Sequence, residues 1–406
     1  MKMGDAMTRI HQTGNQIVNR KCRREDLSGT NSISLYIHIP FCLRKCRYCD
    51  FLSAARPREE QERYVRALIR EIQTQLECPS GTPADTVFFG GGTPSILSGE
   101  QIGRIMEALR ERFDILPDAE ISLEMNPGTA DAGKILEFKK AGINRLSMGV
   151  QSMHDEELRL LGRIHTVREA KEAFDAARAA GFDNINIDLM SALPGQSFES
   201  WEESLLLAAE WKPEHISAYS LIIEPGTPFC DLYEAGKLAS LPDEETDRKM
   251  YHYTREFLAR HGYARYEISN YALPGRECRH NSGYWTGHPY LGLGAGAASY
   301  VNGTRFSNIA DINSYTEALS RPVRTDIRTL TQEEKMEEFM FLGLRMTAGV
   351  SAAVFQERFG RTLEEVYGSL IRRHIAQGLL EETEEGFCLT EKGTDVSNYV
   401  MSDYLL

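Results

Sequence analysis

Three cysteines crowd into the segment His38-Ile-Pro-Phe-Cys42-Leu-Arg-Lys-Cys46-Arg-Tyr-Cys49-Asp-Phe51, a C-x3-C-x2-C array. Structural zinc takes four tetrahedral ligands, and a fourth Cys or His at zinc-finger spacing is missing nearby. Soft thiolates suit iron–sulfur chemistry, and a cubane held by three of them leaves one iron open to another ligand. Arg44, Lys45 and Arg47 flank the thiols, where positive charge favours thiolate and offsets the charge of a cluster. The other cysteines, Cys22, Cys78, Cys230, Cys278 and Cys388, are scattered and read as small apolar packing residues.

These thiols need a scaffold, and the pattern around them supplies one. Short β-branched runs at 35–39, 86–89, 121–124, 145–148, 185–189 and 216–220 read as strands, with helical patterns near 59–76, 99–113, 131–141, 166–180 and 199–210 between them. Gly142 and Gly181 suit the left-handed position after a helix. The alternation implies an α/β fold with a parallel sheet and outer helices. The unusual residues all fall at C-terminal strand ends: the cysteines, then Gly90-Gly91-Gly92-Thr93-Pro94, Glu124, Gln151, Asp188 and Tyr219. Barrel enzymes keep their sites there, so a barrel or partial barrel is expected over 34–228.

Residues 1–33 read as a basic, flexible arm, with six Lys or Arg against Asp5 within 1–24. A Gly- and Pro-punctuated connecting segment covers 229–325. A mostly helical domain covers 326–406, with helices near 332–346, 351–359 and 362–377, a hairpin, and a helix from Glu391. Helices followed by such a hairpin resemble a winged helix. Glu381, Glu382, Glu384 and Glu385 would repel phosphate there, which favours packing or partner contact over DNA.

The chain's 406 residues carry 46 Lys+Arg against 59 Asp+Glu, a net charge of −13, which makes it a poor partner for nucleic acid or an anionic membrane surface. At most a peripheral membrane contact is expected. Neither a spanning apolar run nor a secretory h-region is legible, which points to the cytoplasm.

The cysteine spacing resembles the signature of the radical S-adenosylmethionine (SAM) superfamily, and that resemblance implies the superfamily's partial (β/α)6 barrel over 34–228. More narrowly, Tyr36-Ile-His38-Ile-Pro-Phe-Cys42, Gly90-Gly-Gly-Thr-Pro94, Gly149-Val-Gln-Ser152, Asn186-Ile-Asp-Leu189 and Gly292-Leu-Gly-Ala-Gly-Ala-Ala-Ser299 look like the oxygen-independent coproporphyrinogen III oxidase family, over about 34–400. That resemblance implies a 4Fe-4S cluster on Cys42, Cys46 and Cys49, and SAM contacts from Tyr36, Gly91, Gly92, Thr93, Glu124, Gln151, Arg163 and Asp188. It also implies an electron donor such as flavodoxin or ferredoxin. Taken without it, the triple glycine is a tight turn and the polar strand ends are ordinary surface residues.

The family has two branches. Its dehydrogenases carry a fourth cysteine two residues after the third; here that position is Phe51. A Cys-Asp-Phe run resembles the HemW-type heme chaperones, which share a His-Asn-x-x-Tyr-Trp motif, present as His280, Asn281, Tyr284 and Trp285. The resemblance implies heme binding there and transfer to an acceptor protein, with no separate catalytic residue. Imidazole is a usual axial ligand of heme iron, and the aromatics offer flat apolar surface. The plainer alternative is a buried, hydrogen-bonded histidine. The competing enzyme reading is coproporphyrinogen III dehydrogenase, by radical oxidative decarboxylation.

Overall fold

In a computed structural model, which describes residues 32–318 and 322–405, each barrel strand is apolar on one face and polar on the other. Along β1 (Ile33–Ile39), Leu35, Ile37 and Ile39 are fully buried under the helices, while Ser34, Tyr36 and His38 alternate with them on the inner face. The same period of two runs through β2 (Thr82–Gly91), β3 (Phe113–Met125), β4 (Arg145–Gln151), β5 (Ile185–Ser191) and β6 (His215–Ser220). The barrel is therefore packed with hydrocarbon outside its wall and lined, Phe88 apart, mainly with polar groups inside it.

Strands β1 to β6 pair in chain order and in parallel, as the alternation predicts. The crossovers contain α1 (Arg58–Thr74), α2 (Gly99–Arg112), α3 (Ala132–Ala141), α4 (Asp155–Leu161), α5 (Val167–Ala179) and α6 (Phe198–Glu210). Reciprocal capping boxes start α2 at Ser98 and α5 at Thr166. Gly142 and Gly181 both take positive φ, as expected from their position after a helix.

The segment after β6 contributes α7 (Pro228–Glu234), α8 (Glu244–Arg260), β7 (Ala264–Arg265), β8 (Asn270–Ala272) and α9 (Arg279–Trp285). It continues with β9 (Tyr290–Leu293), β10 (Ala298–Val301), β11 (Thr304–Asn308), α10 (Ile312–Glu317) and β12 (Arg324–Thr329). These strands extend the sheet at both ends, in the order β12-β11-β10-β9-β1-β2-β3-β4-β5-β6-β8-β7, which leaves the barrel open. The segment expected to be loosely punctuated is thus largely an extension of the barrel wall.

Residues 332–402 contain α11 (Gln332–Gly343), β13 (Val350–Ser351), α12 (Ala352–Phe359), α13 (Leu363–Ala376), β14 (Leu380–Glu382), β15 (Gly386–Leu389), α14 (Glu391–Asp395) and α15 (Ser397–Ser402). They enclose a separate apolar core that includes Met340, Phe355, Tyr367 and Tyr404. Strands β14 and β15 form the expected hairpin, β13 joins them from before α12 to make a three-stranded sheet, and Glu381, Glu382, Glu384 and Glu385 are exposed. The basic arm expected at the N-terminus lies, up to residue 31, outside the described residues.

Candidate functional site

Strand ends and the cysteine loop meet around one cavity of about 340 Å³. Cys42, Cys46, Cys49, Gly91, Gly92, Thr93, Glu124, Gln151, Arg163, Asp188 and Asn281 all line it. Tyr36, His280, Tyr284 and Trp285 do not. A larger hollow of about 780 Å³ lies on the outer face by α4, but its walls carry Asp155, Glu156 and Glu157 and none of these residues.

The cysteine loop is tied down on both sides. Arg163 donates from Nη1 to Cys46 Sγ at 3.5 Å and from Nη2 to Asn126 Oδ1 at 2.6 Å and the Gly149 carbonyl. Asn126 Nδ2 in turn donates to Thr93 Oγ1 at 2.8 Å, and that hydroxyl lies 3.3 Å from Cys42 Sγ. His38 holds the far end: Leu52 carbonyl accepts from Nε2 at 3.1 Å, so Nδ1 accepts the Tyr36 hydroxyl proton at 3.0 Å. Tyr36, expected among the SAM contacts, spends its hydroxyl on this support.

All three thiols are free and half-buried. Among the described residues no three His, Cys, Asp or Glu converge as a single metal ion requires; a cubane binds each thiolate through a different iron, so convergence on one point is not needed. Burial pushes the Cys49 thiol up to about 11, with Lys45 opposing it. A thiol so placed is deprotonated when it binds iron, as metal-bound thiols are.

The glycine turn forms a cradle. Gly91 has φ +111°, and a Cβ there would lie 2.6 Å from the His38 ring; a Cβ on Gly92 would meet the Phe41 carbonyl oxygen at 2.7 Å. Backbone can approach a ligand here because no side chain fits. Gly91 N–H donates to Glu124 Oε2 at 3.2 Å. Burial pushes the Glu124 carboxyl up to about 8, and the neighbouring Asp188 adds to this; Asp188 is raised by its own burial. Two acids under mutual strain fit a ligand that brings positive charge, as the ammonium and sulfonium of SAM would. Gln151 is held at φ +74°, at a register shift between β4 and β5, with Tyr219 donating to its side-chain carbonyl at 3.1 Å. A left-handed glutamine at a bulge is a strained position that aims a side chain.

The His-Asn-x-x-Tyr-Trp run is not a loop but helix α9, wedged against the inner wall. His280 is 1% exposed; its Nδ1 lies 2.7 Å from Thr86 Oγ1 and its Nε2 2.9 Å from the Tyr284 hydroxyl. Phe88 stacks on the ring at 5.0 Å, with Tyr36 beyond. Burial lowers its pKa to about 3, so the ring is neutral. Both ring nitrogens are engaged in hydrogen bonds here, so an axial role for His280 requires one of them to be released. Trp285 faces the C-terminal domain, with the Arg345 guanidinium 4.3 Å from its ring centre, and Arg358 donates to the Thr286 carbonyl at 2.9 Å.

Asn126, Arg145, Asn186 and Ser217 belong to the cavity's polar network and were not singled out from sequence. For Asn126 the signal was its place at the end of β3; for the others it was the strand period, which puts them on the same face as Glu124 and Asp188.

Residues 36–208 match the Radical SAM superfamily and residues 330–396 the HemN C-terminal domain. The solved Escherichia coli coproporphyrinogen III oxidase HemN, described as a radical SAM enzyme, is similar with a TM-score of 0.80 and 25% identity, covering 93% of this chain and 90% of that one. By fold and by site, the molecule is a radical SAM barrel protein, a class that works with SAM and an iron–sulfur cluster. Heme chaperone HemW of Bacillus subtilis is 39% identical over 92% of this chain and 99% of its own, and that of Escherichia coli 35% over 92% and 98%. The chain belongs to the HemW family. The zebrafish mitochondrial radical SAM domain-containing protein 1 is also similar, at 34% identity over 85% of this chain and 80% of its own.

Proposed function

We propose that this protein is a heme chaperone: it holds a 4Fe-4S cluster on Cys42, Cys46 and Cys49, SAM in the adjoining cavity, and heme for delivery to an acceptor protein. The observation that carries this is Phe51, which stands where the dehydrogenase branch has its fourth cysteine and is 64% exposed beside the cavity. When bound, cluster and SAM supply one-electron chemistry. This chain's own residues then orient: Arg163 and Thr93 fix the cysteine loop, Gly91 and Gly92 present backbone, Glu124 and Asp188 complement positive charge, and Gln151 is aimed by its strained backbone.

Heme ligation by His280 is part of this reading. Its imidazole is neutral, as iron requires, but one ring nitrogen must give up Thr86 or Tyr284 to bind iron, so loading would be coupled to movement of α9. Asn281, Tyr284 and Trp285 travel with it. A cytoplasmic location and a flavodoxin- or ferredoxin-like reductant complete the proposal. No helix among the described residues is long and apolar enough to cross a membrane.

The test is an anaerobic comparison on reconstituted protein. Heme should bind with a defined Soret spectrum, and His280→Ala should weaken binding at least about tenfold. Coproporphyrinogen III, SAM and reductant should give no protoporphyrinogen above background; sustained turnover would establish the dehydrogenase instead.

A further inference from the structure

The cavity continues below Glu124 and Asp188 to a residue that the SAM site does not use. Arg145 opens β4 with its side chain on the inner face, opposite Ser122 of β3. It is 2% exposed, yet its one hydrogen bond among the described residues is a long contact from Nη1 to Ser122 Oγ, at 3.5 Å. Its Nε is buried and without a partner. A buried guanidinium with so few bonds is costly unless an anion completes it.

The nearby acids Glu120 and Asp188 act on its charge through space but make their hydrogen bonds elsewhere. Glu120 accepts from the backbone N–H groups of Arg279 at 3.0 Å and His280 at 3.2 Å, and Asp188 accepts from Asn186 at 2.7 Å. The neutral groups around the floor are also spoken for: Asn186 Oδ1 takes His215 and Ser217, and Asn270 Nδ2 donates to Glu267. Asn281 lines the same space, and its side-chain amide has no partner among the described residues. A charged fork and a free amide therefore face one polar hollow at the bottom of the barrel.

We propose that Arg145 and Asn281 form a subsite for a carboxylate carried on a short arm of a ligand, separate from the groups that serve SAM. The fork matches the two oxygens of a carboxylate, and the amide N–H adds a third donor. The site does not depend on the heme reading, since its test contains no heme.

The test uses the full chain, anaerobically reconstituted, with propionate as the probe and propanamide as its uncharged counterpart, both followed by ligand-observed NMR. Propionate should bind saturably and propanamide at least about tenfold more weakly. Arg145→Gln should weaken propionate about tenfold, and Asn281→Ala about threefold. Saturating SAM should leave propionate affinity within about twofold. Displacement of propionate by SAM would overturn the proposal, because the carboxylate recognised would then be the cofactor's own. Equal binding of propanamide, or no loss in Asn281→Ala, would overturn it as well, and neither outcome depends on whether Arg145→Gln folds.

Discussion

Arg163 reaches across the barrel mouth to within hydrogen-bonding distance of Cys46 Sγ, 3.5 Å, while its other terminal nitrogen bonds Asn126 and the Gly149 carbonyl. One planar fork thus joins the cysteine loop to the ends of β3 and β4. A lysine has neither the reach nor the geometry for three such contacts. Arg163→Lys should lower SAM affinity at least about tenfold, read by titration of the reduced cluster's electron paramagnetic resonance signal. Unaltered titration would remove Arg163 from the site.

The cysteines divide sharply by position. Cys42→Ala, Cys46→Ala and Cys49→Ala should each abolish the broad absorption near 400 nm expected of an iron–sulfur centre, roughly regardless of folding elsewhere. Cys78→Ala, in the barrel's outer core, should leave it intact. Iron and sulfide analysis of the purified variants decides between these outcomes.

Gly91 sits where both φ and space forbid a side chain. Gly91→Ala should destabilise the cofactor-free protein by about 2–4 kcal/mol, combining the left-handed penalty with overpacking against His38. Gly81→Ala, also at positive φ but with open space around it, should cost only about 1 kcal/mol. Urea denaturation of both variants checks the difference.

The pH dependence has two opposing parts. His280 has a folded pKa of about 3, below its unfolded value, so its contribution is complete above about 6.5 and is lost as pH falls toward 3. Relative to His280→Gln, the wild type should therefore lose about 1 kcal/mol between pH 7.5 and 5.5. Glu124, at about 8, runs the other way: folding favours its protonated form, and stability is lost as pH rises from about 4.5 to 8. Glu124→Gln should raise stability at pH 8 by at least about 1 kcal/mol, while weakening SAM. Denaturation curves across this range separate the two.

The six βα units were legible because β-branched runs such as Ile185–Leu189 and capped amphipathic helices carry their periods locally. The C-x3-C-x2-C loop was legible for a different reason: few chemistries need that spacing. Strands β9 to β12 were not, since Tyr290-Leu-Gly-Leu293 has one strong β-former, Tyr290, beside leucines and a glycine, and owes its strand state to pairing with β1. Helix α9 was hidden by Gly283 and its aromatics, which are poor helix formers held in place by tertiary contacts. Arg145 escaped notice because a charged residue opening a strand reads as its solvated edge; here the barrel wall carries it inward.

Helix α9 touches the barrel through His280 and the C-terminal domain through Trp285 and Thr286. Two surfaces far apart in sequence therefore share a single mechanical joint. If a ligand in Asn281's side of the cavity displaces α9 and so changes how tightly a second molecule grips the C-terminal domain, that molecule must, by thermodynamic reciprocity, change the ligand's affinity by the same factor. In such an arrangement, release of cargo can be set by the identity of the receiver rather than by a clock inside the carrier.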